Sequence, residues 1–94
     1  MNEFKKLKIG VIGCGYWATN FIKTLEDINL KNVSVFDKDI SKMNIIKNKF
    51  SFLSCFSNIN NFLSQKYDCI LLVTPPSTHY SLAKKIINKG INLF

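Results

Sequence analysis

Gly13-Cys14-Gly15-Tyr16-Trp17-Ala18 sets two glycines between a strand-like apolar run and a helix-like pattern. A GxGxxA spacing does its chemistry through the backbone. Gly13 permits a sharp turn, Gly15 has no side chain to hold off a ligand, and Ala18 keeps the next helix close to the strand. The amides at the helix start, aided by the helix dipole, then favour an anion such as a pyrophosphate. Asp37 follows Gly15 by 22 residues and closes the next strand-like run. That is near the ~20-residue spacing at which an acid accepts hydrogen bonds from ribose hydroxyls. A carboxylate there repels a 2′-phosphate, which favours NAD over NADP, although Lys38 and Lys42 are close enough to soften the preference. Plainer readings stand beside these. Steric freedom alone explains a glycine turn, Asp37 also suits a loop acid or a cap, and Tyr16 and Trp17 fit either packing or the mouth of a site.

A second candidate stretch is Thr74-Pro75-Pro76-Ser77-Thr78-His79, which leaves the most apolar run of the chain. Its prolines stiffen the turn and remove two N–H donors, and Ser77 or Thr78 can cap the helix that follows. His79, the single histidine, reads as a packing or surface residue or as a participant in chemistry. Adenosylmethionine-dependent methyltransferases also join a glycine turn to an acid after the second strand. Some of them carry Asn/Asp-Pro-Pro-aromatic after the fourth. Here those places hold Thr74 and Ser77, which supply neither the amide or carboxylate nor the ring.

The elements that must position these residues alternate along the chain. Strands are expected at 7–12, 33–37, 52–56, 68–73 and 91–94. The intervening helices are marked by apolar stripes: Ala18, Phe21, Ile22, Leu25 and Ile28; Ile40, Met43, Ile46 and Phe50; Ile59, Phe62 and Leu63; and Leu82, Ala83, Ile86 and Ile87. Asp39 and Ser57 are candidate caps, and Gly90 suits a helix C-terminus. This alternation predicts an α/β fold, a Rossmann-like doubly wound parallel sheet of five strands in the order 3-2-1-4-5 with helices on both faces. The switch point lies between strands one and four, so both candidate stretches fall at the carboxyl edge where ligands sit in such sheets.

Composition narrows the function classes. Ninety-four residues allow one domain. The net charge of +7 comes from 13 scattered lysines without an arginine. That argues for a solvated surface and against nucleic acid, since arginine is the preferred base and phosphate reader. No apolar run has the length of a membrane span, and the start does not read as a signal peptide, so a cytoplasmic location is expected. Cys14, Cys55 and Cys69 are odd in number and form no CxxC pair; reduced thiols are expected, with neither a disulfide framework nor a metal site.

The stretches "KIGVIGCGYWATNFIKTL", "VSVFDKD" and "YDCILLVTPPSTHYSLAKKIINKGINLF" together resemble the N-terminal domain of the Gfo/Idh/MocA oxidoreductase family. The resemblance runs from about Lys8 to Phe94, and "TPPSTH" with its helix is its more specific part. It implies that Gly13, Gly15, Tyr16, Trp17 and Ala18 hold the pyrophosphate region, that Asp37 holds the adenosine ribose, and that Thr74, Pro75, Pro76 and His79 lie near the nicotinamide ribose. The "GYW" variant is similar to members acting on nucleotide-linked sugars. The family follows its fifth strand with a Glu-Lys-Pro motif, whose lysine is catalytic, and then with a substrate-binding domain; the sequence stops before that motif. The expectation is therefore an incomplete dinucleotide-binding domain over residues 1–94, truncated or split. It would have no catalytic residue of its own and be inactive alone. A sugar, nucleotide-sugar or polyol would be its substrate only with a C-terminal domain or partner chain supplied. The alternative is a non-catalytic nucleotide-binding module that works with a partner chain.

Overall fold

Short runs of β-branched and aromatic residues form the sheet, and amphipathic stretches return the chain across its faces. A computed structural model describes residues 6–73 and 76–93, the side chains of 76–80 excepted. The elements are β1 (Ile9–Ile12), α1 (Tyr16–Asp27), β2 (Val33–Phe36), α2 (Ile40–Lys49), β3 (Ser54–Phe56), α3 (Ile59–Leu63), β4 (Cys69–Leu72), α4 (Pro76–Asn88) and β5 (Asn92–Leu93). The strands form one sheet in the order β3-β2-β1-β4-β5, every pair parallel. This is the expected Rossmann-like topology, with β1 at the centre and the switch between β1 and β4.

The two faces carry separate cores, because successive side chains of a strand point to opposite sides. Ile9 and Val11 of β1 pack with Ala18, Ile22 and Leu25 of α1, Val33 and Val35 of β2, and Met43 and Ile46 of α2. Ile12 joins Phe62 and Leu63 of α3, Tyr67, Ile70 of β4 and Ile86 of α4 on the other face. Phe62 stacks on Tyr67 with ring centroids 4.8 Å apart.

Each strand is shorter than its expected run, since the ladder ends where its neighbours end. Ahead of β1, Lys8 is instead tied to Asp68: the Lys8 amide donates to the Asp68 carboxylate at 2.7 Å, and the Asp68 amide to the Lys8 carbonyl at 2.8 Å. Three stripe residues turn out exposed. Ile28 lies past the last turn of α1 as its C-cap, Ile40 opens α2 before that helix meets the sheet, and Ile87 lies on the flank of α4 beside buried Ile86. Phe21 is half-buried against the α1 core. The cap of α3 is Asn58 rather than Ser57. Helix α4 starts at Pro76, where a missing N–H costs nothing, so Ser77 and Thr78 fall in its opening turn and do not cap it. Gly90 ends that helix as expected, at φ +74°.

No helix among the described residues is long and apolar enough to cross a membrane.

Candidate nucleotide-binding edge

The turn from β1 into α1 is held from both sides. The Gly13 amide donates to the Phe36 carbonyl at 2.8 Å, and the Val73 amide to the Ile12 carbonyl at 2.9 Å. Gly13 has φ +108°, and a Cβ on it would stand 3.0 Å from the Val73 carbonyl oxygen. Both the backbone conformation and the closeness of the β4 end therefore require glycine. Its role is to make the turn.

Gly15 differs on both counts. Its φ of −82° and ψ of −165° are open to any residue, and a Cβ there would meet no described atom within 4 Å. Neither the turn nor the packing demands glycine. The space above its Cα opens beside the first turn of α1, where the amides of Tyr16, Trp17 and Ala18 have no hydrogen-bond partner among the described residues. No side chain caps this helix, and its first turn carries no acid. The bonds nearby run the other way: the Gly15 carbonyl accepts from the Thr19 amide at 3.1 Å and the Thr19 hydroxyl at 3.2 Å. Unpaired amides at the positive end of a twelve-residue helix, bordered by a residue without a side chain, suit a phosphate oxygen.

Ala18 is fully buried, which lets α1 lie close to the sheet. Tyr16 and Trp17 are each 74% exposed and meet edge to face, with centroids 5.7 Å apart. They are not core residues, which removes the packing reading offered by their sequence position.

Asp37 follows the last residue of β2, as its spacing predicts, but its carboxylate already has two partners. Oδ2 accepts from the Cys14 amide at 3.0 Å, and Oδ1 from the Asp39 amide at 2.8 Å. The bond to Cys14 joins the acid directly to the glycine turn, a link that spacing alone does not reveal. Cys14 itself is buried. Burial, and next the Asp37 carboxylate, push its thiol up to about 12, so at neutral pH it is protonated and a poor nucleophile.

Thr74 and Pro75 lie outside the described residues. Pro76 and His79 fall in the opening residues of α4, and their side chains are likewise outside the description. The start of α4 follows β4, next to β1, so the backbone from Pro76 onward begins at the same edge as the glycine turn. Two shallow hollows of about 320 and 360 Å³ lie on the outer face of α4 and at the amino ends of β4 and β5. Neither includes a residue of the glycine turn.

Comparison with known proteins agrees with this fold. Residues 7–94 match the family described as "Oxidoreductase family, NAD-binding Rossmann fold" (Gfo/Idh/MocA). No curated protein matches the chain. Among solved structures, the WlbA dehydrogenase from Chromobacterium violaceum, in complex with NADH and UDP-GlcNAcA, superposes with a TM-score of 0.81 at 20% identity, covering 95% of this chain and 26% of that one. An oxidoreductase from Agrobacterium radiobacter, in complex with NAD+, L-tartaric acid and magnesium, gives 0.80 at 20% identity, covering 94% and 26%. The UDP-N-acetylglucosamine 3-dehydrogenase GnnA from Acidithiobacillus ferrooxidans gives 0.78 at 24% identity, covering 94% and 28%. The chain thus spans about a quarter of the length of these structures, and the likeness to them is one of fold. The family match sets aside the methyltransferase reading: the chain belongs to the Gfo/Idh/MocA oxidoreductases and carries their NAD-binding Rossmann domain.

Proposed function

We propose that the β1–α1 turn binds the pyrophosphate of NAD, with its phosphate oxygens over Gly15 and on the amides of Tyr16, Trp17 and Ala18. The observation that carries this reading is the open space at Gly15, a glycine that the fold itself does not need. Asp37 takes the hydroxyls of the adenosine ribose. Each carboxylate oxygen has two acceptor sites, so its two amide bonds leave one on each oxygen for the diol. Thr74, Pro75, Pro76 and His79 sit beside the nicotinamide ribose, as the family resemblance implies. The nicotinamide supplies a hydride acceptor or donor. The substrate class is a hydroxyl of a sugar, nucleotide-sugar or polyol, supported by the nucleotide-sugar ligand and substrate named for two of the similar structures. To this chain we assign the cofactor-holding share of that reaction.

Calorimetric titration with NAD, NADP and adenosylmethionine tests the assignment. NAD should bind tightest. Asp37→Ala should weaken it by about 1.5–3 kcal/mol through lost charge-assisted bonds. A preference for NADP, or unchanged NAD affinity in the variant, removes Asp37 from the ribose.

A further inference from the structure

We infer that Asp37 is a positioning residue for the glycine turn, in addition to being a ribose acceptor; the inference rests on the nucleotide-binding reading above. Two bonds join the turn to the end of β2. One runs between backbone groups, from the Gly13 amide to the Phe36 carbonyl at 2.8 Å. The other is the only one of the two that a side chain decides: the Cys14 amide donates to Asp37 Oδ2 at 3.0 Å. Asp37 is itself held, because its Oδ1 accepts from the Asp39 amide at 2.8 Å, and Asp39 in turn caps α2 through the amides of Ser41 and Lys42. A chain of bonds thus runs from the first turn of α2 through Asp37 to the residue between the two glycines. Gly15 and the amides that follow are reached directly from that residue, so their direction depends on where Cys14 is held. Cys14 adds no alternative anchor, since its protonated thiol packs into the core.

The role requires two acceptor oxygens pointing different ways. An amide in place of the carboxylate keeps the shape but offers one acceptor oxygen, and its NH2 faces a backbone N–H that can only donate. Asp37→Asn therefore keeps either the Asp39 bond or the Cys14 bond. The turn is the more distant of the two in sequence and is the one released.

Two readings of Asp37 give opposite signs with a ligand that has no ribose diol. If the acid acts only on ribose hydroxyls, 2′,3′-dideoxyadenosine diphosphate is indifferent to its loss, or binds tighter because a negative charge near its phosphates has gone. If the acid also positions the turn, the same ligand binds more weakly. The test measures NAD and 2′,3′-dideoxyadenosine diphosphate affinity by calorimetry, and amide hydrogen exchange by NMR, in the chain and its Asp37→Asn and Asp37→Ala variants. We expect Cys14 amide exchange in the ligand-free chain to accelerate at least about tenfold in both variants while the Val11 amide is unchanged. We also expect the dideoxy ligand to lose about tenfold in affinity. Cys14 exchange equal to that of the original chain overturns the inference, as does dideoxy binding that is unchanged or tighter. Should Asp37→Ala fail to fold, Asp37→Asn decides on both readouts. If the original chain binds neither ligand, the nucleotide reading fails, while the exchange measurement still decides whether Asp37 holds the turn.

Discussion

Helices α1, α2 and α3 all begin at the carboxyl edge of the sheet, yet they begin differently. At α2 the Asp39 carboxylate accepts from the amides of Ser41 and Lys42, and at α3 the Asn58 side chain accepts from those of Asn60 and Asn61. At α1 the capping position is Gly15, and no side chain among the described residues accepts from the first amides. Satisfied donors at a helix start are worth about 1 kcal/mol each way a cap is gained or lost. The twelve-residue α1 goes without that side-chain cap among the described residues. The two capped starts are closed by the fold's own side chains, and the start of α1 is the one proposed above to take the pyrophosphate.

The sharpest way to break this contrast is Gly15→Val. The extended backbone suits a β-branched residue, and its Cβ would meet no described atom within 4 Å. Valine is a poorer N-cap than glycine, so stability should fall by about 1 kcal/mol in a chemical denaturation, while NAD binding disappears from calorimetry. A valine variant that unfolds would return Gly15 to the fold and cancel the contrast. Gly13→Ala should do the reverse. The positive φ and the nearby Val73 carbonyl predict a loss of about 3 kcal/mol in the same denaturation measurement, and equal stability of the two chains would contradict the geometry.

Smaller effects sharpen the closed side. Asn58→Ala removes the acceptor for two amides and should cost about 1 kcal/mol, read as a lower denaturation midpoint at unchanged m-value. At α2 the cap can be titrated. Hydrogen bonds from the Ser41 hydroxyl and the Lys42 and Ser41 amides hold the Asp39 carboxyl below its usual 3.8. Its stabilising share is therefore present above that value and is lost as the pH falls through the lower, folded one. NMR titration should place the Asp39 midpoint below 3.8, with the Ser41 and Lys42 amide shifts following it; a midpoint at or above 3.8 would mean that the cap is not formed in solution.

Much of this architecture is legible in the sequence. The order of strands follows from the alternation of elements, because parallel strands need crossovers and α/β domains have few ways to arrange them. The stripe Ala18, Ile22 and Leu25 reads correctly because one face of a helix repeats every 3.6 residues. Ile28 misleads for the same reason. The stripe continues toward position 29, where the helix has already ended in a left-handed Asn29 at φ 62°. Asn58 and Ser57 are both good caps on paper, and only the point where the chain turns helical separates them. The glycines and Asp37 are legible from their spacing as a candidate nucleotide-binding set. What spacing does not carry is the difference between Gly13 and Gly15, which depends on the approach of Val73 from another strand, or the bond from Asp37 to Cys14, which depends on how two loops meet.

Trp17 is the only tryptophan of the chain, and it stands 74% exposed at the open start of α1. Indole emission shifts to longer wavelength in water, so this ring already emits as a solvated one while the chain is folded. Its spectrum should barely move on denaturation, and a melt followed by intrinsic fluorescence would report the surroundings of one exposed ring rather than the loss of the two cores. Iodide should quench it in the native state nearly as well as in the denatured one. The same placement makes the ring a local optical probe, since anything that settles on the α1 start darkens or shifts the one indole there is.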